Sequence, residues 1–124
     1  MAPKSGAPAY DTAKAAVSRL TTTLAPRFES DRIRVNCIVP DWVATPEVKE
    51  YYDGLTPLER ADPRIPPVLI SLDEIAQAVV DLITDSALTG RVLVYWCGQE
   101  PALVAAADPG YGALEPYDSK WPPR

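Results

Sequence analysis

Histidine is absent from the 124 residues of this chain, and its absence removes several kinds of chemistry. No Ser-His-Asp or Cys-His nucleophile system, HExxH zinc site or histidine general base can form within the chain, and we expect no metal site. Basic residues are also few, since 12 Lys and Arg stand against 17 Asp and Glu, for a formal net charge of −5. Nucleic-acid binding needs a basic surface, so we expect no nucleic-acid partner.

Cysteine is scarce as well. Cys37 and Cys97 lie in or at the end of apolar runs, and neither belongs to a CxxC pair, which excludes a paired-cysteine metal ribbon and the thioredoxin motif. The alternative of a disulfide stays open, because a sequence does not fix its geometry. We expect two reduced, buried thiols and a cytoplasmic location.

Long apolar runs are missing too. No stretch approaches the ~20 apolar residues of a transmembrane helix, and we expect no membrane partner. Residues 1–27 contain one acidic residue, Asp11, among several basic and hydroxyl residues, which also suits an organelle transit peptide. Because the same residues have a helical pattern, we prefer to interpret them as part of the folded protein.

The apolar pattern predicts helices that alternate with strands in one domain. Apolar residues at spacings of three and four predict a helix from Ala9 to about Pro26. Residues 32–40 predict a strand that is apolar on both faces, as in a covered parallel sheet. A capping box at Ser71 opens a second helix to about Asp85, and residues 91–97 predict a second strand.

Proline is abundant, with 14 residues, about twice the ordinary share. Residues 41–70 are therefore predicted to be irregular, with short helix starts at Thr45 and at the capping box of Thr56. Residues 99–124 contain five prolines and are predicted to form a Pro-rich C-terminal tail, extended or loosely packed. We place the remaining residues, 1–98, in one folded unit.

Tyr10 and Lys14 share a face at the start of the first helix, because they are four residues apart. A free phenol is a weak base at neutral pH, but a neighbouring ammonium and the helix N-terminus both favour the phenolate. The pair is therefore a candidate proton donor or acceptor. Tyr and Lys at this spacing are also common on solvated helix faces, so the pair alone is weak evidence.

The order of motifs resembles the C-terminal half of the short-chain dehydrogenase/reductase family. The matching segments are YDTAK (10–14), RIRVNCIVP (32–40), WVATP (42–46), SLDEIA (71–76) and GRVLV (90–94). The resemblance covers residues 6–98. It implies the C-terminal part of a Rossmann-like, doubly wound parallel sheet, with two strands, two main helices and short lid helices. Such an α/β piece would be incomplete as a domain.

The resemblance also implies a role for individual residues. Tyr10 would be the catalytic acid/base in hydride transfer between NAD or NADP and a small carbonyl or alcohol. Lys14 would assist it and bind the nicotinamide ribose. Residues 46–70 would form a substrate lid. The cofactor-binding residues would be Lys14, Pro40, Val43 and Thr45, and the lid residues would include Pro46, Val48, Tyr51 and Tyr52. Thr45, which precedes a proline, is also an ordinary helix N-cap.

Three features depart from the family pattern. None of the six glycines forms the Gly-rich turn that holds a cofactor diphosphate at a helix N-terminus. The family's catalytic serine would lie farther ahead of Tyr10 than the nine residues available. Asp41 stands where the family usually has glycine, which puts a carboxylate near the cofactor. We therefore expect no appreciable turnover by this chain alone.

The alternative function is non-catalytic, as a truncated α/β module that binds a partner or associates with itself. Two parallel strands leave an unpaired edge and make a marginal sheet, so we expect a homo-oligomer or a second chain that completes the sheet. The missing Gly-rich turn favours this function, and the presence of both Tyr10 and Lys14 favours the enzyme. The substrate and the choice between NAD and NADP are not encoded in these residues.

Overall fold

The computed structural model describes residues 7–104. Helices alternate with strands along this part of the chain, and the predicted α/β class is confirmed. The elements are α1 (Pro8–Thr23), α2 (Arg27–Asp31), β1 (Cys37–Pro40), α3 (Pro46–Gly54), α4 (Pro57–Arg60), α5 (Leu72–Thr84), β2 (Val92–Tyr95) and β3 (Ala102–Leu103).

The sheet combines parallel and antiparallel pairing. β1 and β2 are parallel, with Cys37 opposite Val92 and Pro40 opposite Tyr95, as the predicted parallel sheet requires. In the described residues the strand order is β1-β2-β3, so β1 lies at one edge. Contacts join α1 to both β1 and β2. The hydroxyl of Tyr95, at the end of β2, donates a hydrogen bond to Glu74 of α5 at 3.0 Å.

The third strand corrects the prediction of a two-stranded sheet. β3 is antiparallel to β2 and comes from the segment assigned to the Pro-rich tail. Its hydrogen bonds include Val104 N–H to the Val92 carbonyl at 2.9 Å. A strand of two residues is too short to show a periodic pattern in the sequence. Ala102 and Leu103 form a strand because they pair with the open edge of β2. The rest of the tail, residues 105–124, lies outside the described residues.

The helix at the N-terminal end also differs from its prediction. α1 ends at Thr23, and a short helix, α2, follows Pro26 where no element was predicted. α2 ends at Asp31, and the residue that caps its C-terminus, Arg32, has a left-handed φ of 57°. Proline is tolerated at the start of a helix, so Pro26 separates two helices. The capping boxes at Thr56 and Ser71 are confirmed.

The first predicted strand is shorter than expected, since β1 begins only at Cys37, and side chains of the segment before it bind the end of α5. The Arg34 guanidinium donates to four carbonyls at the end of α5 and in the turn after it, those of Leu82 (3.0 Å), Ile83, Asp85 (2.7 Å) and Leu88 (3.2 Å). The carbonyls of Leu82 and Ile83 belong to the last turn of α5, where a helix has no N–H left to offer them, and a cation there also complements the helix dipole. Arg34 thereby caps α5.

Asn36 links the turn after α5 to the start of β2. Its side-chain amide donates to the Leu88 carbonyl at 3.0 Å, and its oxygen accepts from the Arg91 N–H at 3.0 Å. The Gly90 N–H donates to the Val35 carbonyl at 2.7 Å. These bonds set the parallel register of β1 and β2 at its N-terminal end.

The buried core is small. In the described residues it comprises Ile70, Ala78, Leu82, Val92 and Cys97. Much of the apolar stripe predicted for α1 is exposed, with Val17 at 53% and Leu20 at 58% of full accessibility. Cys37 and Cys97 are both free, as predicted, but only Cys97 is buried, whereas Cys37 is half-buried. No helix between residues 7 and 104 is long and apolar enough to cross a membrane.

We predict that Gly90→Ala destabilises the protein by at least about 2 kcal/mol. Gly90 has a φ of +66°, and an added Cβ would lie 2.3 Å from the Cβ of Ala25. Left-handed backbone alone costs a non-glycine residue about 1–2 kcal/mol. Urea unfolding followed by circular dichroism measures the change. Gly54→Ala is the matched control, since nothing lies within 4 Å of its added Cβ, and it should stay within about 1 kcal/mol. Equal effects of the two substitutions would contradict this account of Gly90.

Candidate active site

An open cleft lies directly after β1. Its volume is about 460 Å³, and its lining residues are Asp41, Trp42, Val43, Thr45, Glu47, Val48 and Tyr51. This is the carboxyl end of a parallel strand, where open α/β sheets usually bind ligands. The cleft is therefore the candidate active site.

A short parallel bridge forms the floor of the cleft. Val43 pairs with Ile70 through its two neighbours, because the Ala44 N–H donates to the Ile70 carbonyl at 2.8 Å and the Ile70 N–H donates to the Trp42 carbonyl at 2.9 Å. In this pattern the N–H and carbonyl of Val43 itself point away from Ile70. The Val43 carbonyl accepts from the Thr45 N–H at 2.7 Å.

α3 forms one wall of the cleft. The Thr45 hydroxyl oxygen accepts from the Val48 N–H at 3.4 Å, and Pro46 occupies the first turn, so the N-cap role of Thr45 is confirmed. A hydroxyl that accepts one hydrogen bond retains its own proton to donate. On the same wall the rings of Trp42 and Tyr51 have centroids 6.0 Å apart, tilted by 41°.

Five predicted site residues do not line the cleft: Tyr10 and Lys14 on α1, and Pro40, Pro46 and Tyr52. Pro40 ends β1 and is exposed, and Pro46 starts α3 and is also exposed. The Tyr52 hydroxyl instead donates to the Pro66 carbonyl at 2.9 Å, and the Arg60 guanidinium lies 4.6 Å from the Tyr52 ring centroid. Tyr52 therefore holds α3 against Arg60 and Pro66 of the segment that follows it.

Tyr10 and Lys14 lie together on α1. The Lys14 Nζ is 5.3 Å from the centroid of the Tyr10 ring, within the range of a cation–π contact, and Tyr10 is 58% exposed. Neither residue lines the cleft. Their functional roles remain predictions.

The direction of α1 relates this pair to the cleft. Ala25, just beyond the C-terminal end of α1, lies against Gly90 at the start of β2. α1 has 16 residues, or about 24 Å of helix, and it contacts both strands. Its N-terminal turn therefore lies toward the carboxyl edge of the strands, which is the edge that holds the cleft.

The charges in the cleft are all negative. Asp41 and Glu47 are its acidic residues, and none of the seven lining residues is basic. One Asp41 oxygen accepts from the Cys97 N–H at 3.5 Å. Burial raises the pKa of the Cys97 thiol above its ordinary value, and the Asp41 carboxylate adds to this rise, so Cys97 is a structural thiol. The sequence had indicated Asp41 through its departure from the family pattern, whereas nothing had indicated Glu47.

A comparison with known proteins identifies the family of this chain. A family model described as enoyl-(acyl carrier protein) reductase matches residues 2–99. The chain belongs to the short-chain dehydrogenase/reductase family. Over 85 residues it is 36% identical to the short-chain dehydrogenase fogB of Aspergillus ruber. The aligned stretch covers 65% of this chain and 31% of that protein. This family member thus spans about a third of the length of the curated relative it matches.

We predict that Thr45→Ala lowers the free energy of unfolding by about 1 kcal/mol, because α3 loses its N-cap. Thr45→Ser keeps the capping oxygen and should restore most of the loss. Thr23→Ala is the matched control, since the Thr23 hydroxyl donates to the Leu20 carbonyl at the end of α1. Thermal unfolding by circular dichroism measures all three. A loss for Thr45→Ala no greater than that for Thr23→Ala would contradict the capping role.

Proposed function

We propose that this chain is the catalytic and lid half of an NAD(P)-dependent short-chain dehydrogenase/reductase that acts on a small carbonyl or alcohol. The observation that supports it most is the contact between Lys14 and Tyr10 on the helix whose N-terminal turn lies toward the cleft edge. Family membership supports the oxidoreductase class. The free thiols of Cys37 and Cys97 suit a reducing compartment, and we place the enzyme in the cytoplasm.

Tyr10 would handle the proton of the reaction. During reduction its hydroxyl donates a proton to the substrate oxygen, and during oxidation its phenolate takes that proton back. The Lys14 ammonium favours the phenolate form because opposite charges at close range stabilise each other. The bound cofactor supplies or accepts the hydride.

The nicotinamide end of the cofactor fits the cleft. The N–H of Val43 points away from the Ile70 bridge, and the Thr45 hydroxyl retains a proton, so both can donate to a carboxamide oxygen. Trp42 and Val48 offer apolar surface to a flat ring. These residues would hold the nicotinamide beside the lid, with the substrate between it and α3.

The diphosphate end does not fit the residues described. Within residues 7–104 no Gly-rich turn is present, and the cleft lining has acidic side chains and no basic ones. Phosphates bind where backbone N–H groups or basic side chains converge. We therefore assign the diphosphate contacts to polypeptide beyond these residues, and we expect no appreciable turnover from the 124-residue chain alone.

A chimera tests this function. In it, residues 2–99 of this chain, the stretch that the family model matches, replace the corresponding part of the Aspergillus ruber relative. We expect NAD(P)H-dependent reduction of a carbonyl compound, and Tyr10→Phe should lower kcat at least about 100-fold because the acid/base is lost. Tyr95→Phe is the matched control, because Tyr95 bonds to Glu74 outside the cleft, and it should change kcat less than about threefold.

Two results would contradict the proposal. One is a Tyr10→Phe chimera as active as its Tyr95→Phe control. The other is NAD(P)H-dependent reduction by the isolated chain, which would show that the diphosphate contacts lie within it.

A second candidate function is self-association through the open edge of β1. This edge borders a groove of about 690 Å³, whose apolar lining includes Ile38 of β1 and Val79, Leu82 and Ile83 of α5. Ile83 is 63% exposed. A parallel strand without a neighbour leaves N–H and carbonyl groups free to pair with another chain. A second copy of this chain or a completing chain would cover both features.

Sedimentation equilibrium tests self-association. We expect the apparent mass to rise with concentration, and Ile83→Lys should shift the chain to monomer by placing a charge in the groove. Leu58→Lys is the matched control, because Leu58 lies on α4 and is 84% exposed. A monomer at every concentration, with a sharp cooperative unfolding transition, would contradict this candidate.

A further inference from the structure

The helix α3 stands between the cleft and the remainder of the lid segment, residues 46–70. Tyr51 lines the cleft, and its ring centroid lies 6.0 Å from that of Trp42. The next residue, Tyr52, does not line the cleft, and its hydroxyl donates to the Pro66 carbonyl at 2.9 Å. The orientation of α3 therefore sets how close the Tyr51 wall of the cleft stands to Trp42.

Arg60 binds the C-terminal end of α3. Its guanidinium donates to the carbonyls of Tyr52 at 2.8 Å and of Leu55 at 3.4 Å, and it lies 4.6 Å from the Tyr52 ring centroid. The last turn of α3 has no basic residue of its own, so Arg60 supplies the cation that complements the helix dipole there. One planar, charged group therefore holds both the end of α3 and the ring whose hydroxyl bonds to Pro66.

Arg60 is itself held by α4 and by the closure of the lid segment. A capping box formed by Thr56 and Glu59 begins α4, and the Arg60 N–H donates to the Thr56 carbonyl at 3.0 Å. The bridge between Val43 and Ile70 joins the two ends of the segment. Because these ends are joined and Arg60 is fixed on α4, the contacts of its guanidinium orient α3 within the segment.

We propose that Arg60 is a positioning residue of the candidate active site, which holds α3 so that Tyr51 lies against Trp42, although Arg60 lies outside the cleft lining. Without the guanidinium, α3 loses this tie to α4 and turns away from Trp42, which widens the cleft. The consequence for substrate rests on the proposed function. A wider cleft binds substrate more weakly, and the proton transfer by Tyr10 is unchanged because Tyr10 lies on α1.

The indole N–H of Trp42 reports the orientation of α3 in the full chain, with no cofactor or substrate added. The Tyr51 ring changes the NMR frequency of this proton, Trp42→Phe identifies its signal, and Tyr51→Ala gives its frequency without the ring. We expect Arg60→Ala to move the signal toward its frequency in Tyr51→Ala. Arg60→Lys should restore part of the shift, because an ammonium can still lie over the Tyr52 ring and donate to a carbonyl.

Arg64→Ala is the matched control. Arg64 lies in the same segment and carries the same charge, but its side chain is 84% exposed and pairs with Asp62 at 2.6 Å. This variant should leave the Trp42 signal unmoved. The amide signals of β1 and β2 should stay in place in both variants, which distinguishes a local change at α3 from a loss of the fold.

The chimera with the Aspergillus ruber relative supplies the kinetic readout. There Arg60→Ala should raise KM about fivefold and change kcat less than about threefold, since it alters binding and not the reacting groups. Arg64→Ala should change neither constant.

The outcomes separate this inference from the proposed function. An unmoved Trp42 signal in Arg60→Ala would overturn the inference, and so would an equal shift in Arg64→Ala. A shifted signal with an unchanged KM would overturn the consequence for substrate binding. If the chimera without further substitutions is inactive, the proposed function fails, and the Trp42 signal still decides the role of Arg60.

Discussion

The backbone carbonyls at the end of α5 have no partners in their own helix, and the Arg34 guanidinium supplies a donor to them across the chain. Asn36 continues the connection by bonding to both Leu88 and Arg91. A charged donor shared among several carbonyls is stronger than a neutral bond. This junction fixes where α5 ends, where β2 begins and how β2 pairs with β1.

The position of the cleft follows from that register. Because β1 and β2 run in parallel from the junction, their carboxyl ends meet at one edge, and the chain leaves β1 there to form the Val43 bridge with Ile70. α1 runs back along the same strands and presents its first turn at this edge. One small set of hydrogen bonds therefore sets the register of the two strands that carry the cleft, and α1, which bears Tyr10 and Lys14, contacts the same two strands.

Local signals in the sequence were sufficient to predict where α3, α4 and α5 begin. In each of these helices the capping oxygen and the N–H that it accepts from lie within four residues of each other. The resemblance to the family, rather than a local signal, predicted that Val43 and Thr45 belong near one site. β3 was missed because two residues gain their conformation only from the edge of β2, and the role of Arg34 was missed because its partners lie about 50 residues away. Glu47 could not be recognised in the cleft, because an acid in the first turn of a helix is ordinary.

The most direct test of the central claim is a residue-by-residue NMR map of the amide shifts when nicotinamide is added to the 124-residue chain. The account predicts shifts that concentrate at Val43, at Thr45 and in the first turn of α1, because these lie at one edge of the sheet. Shifts confined to the α5 groove, or shifts at Val43 without any in α1, would contradict the claim that one site joins the cleft to Tyr10 and Lys14.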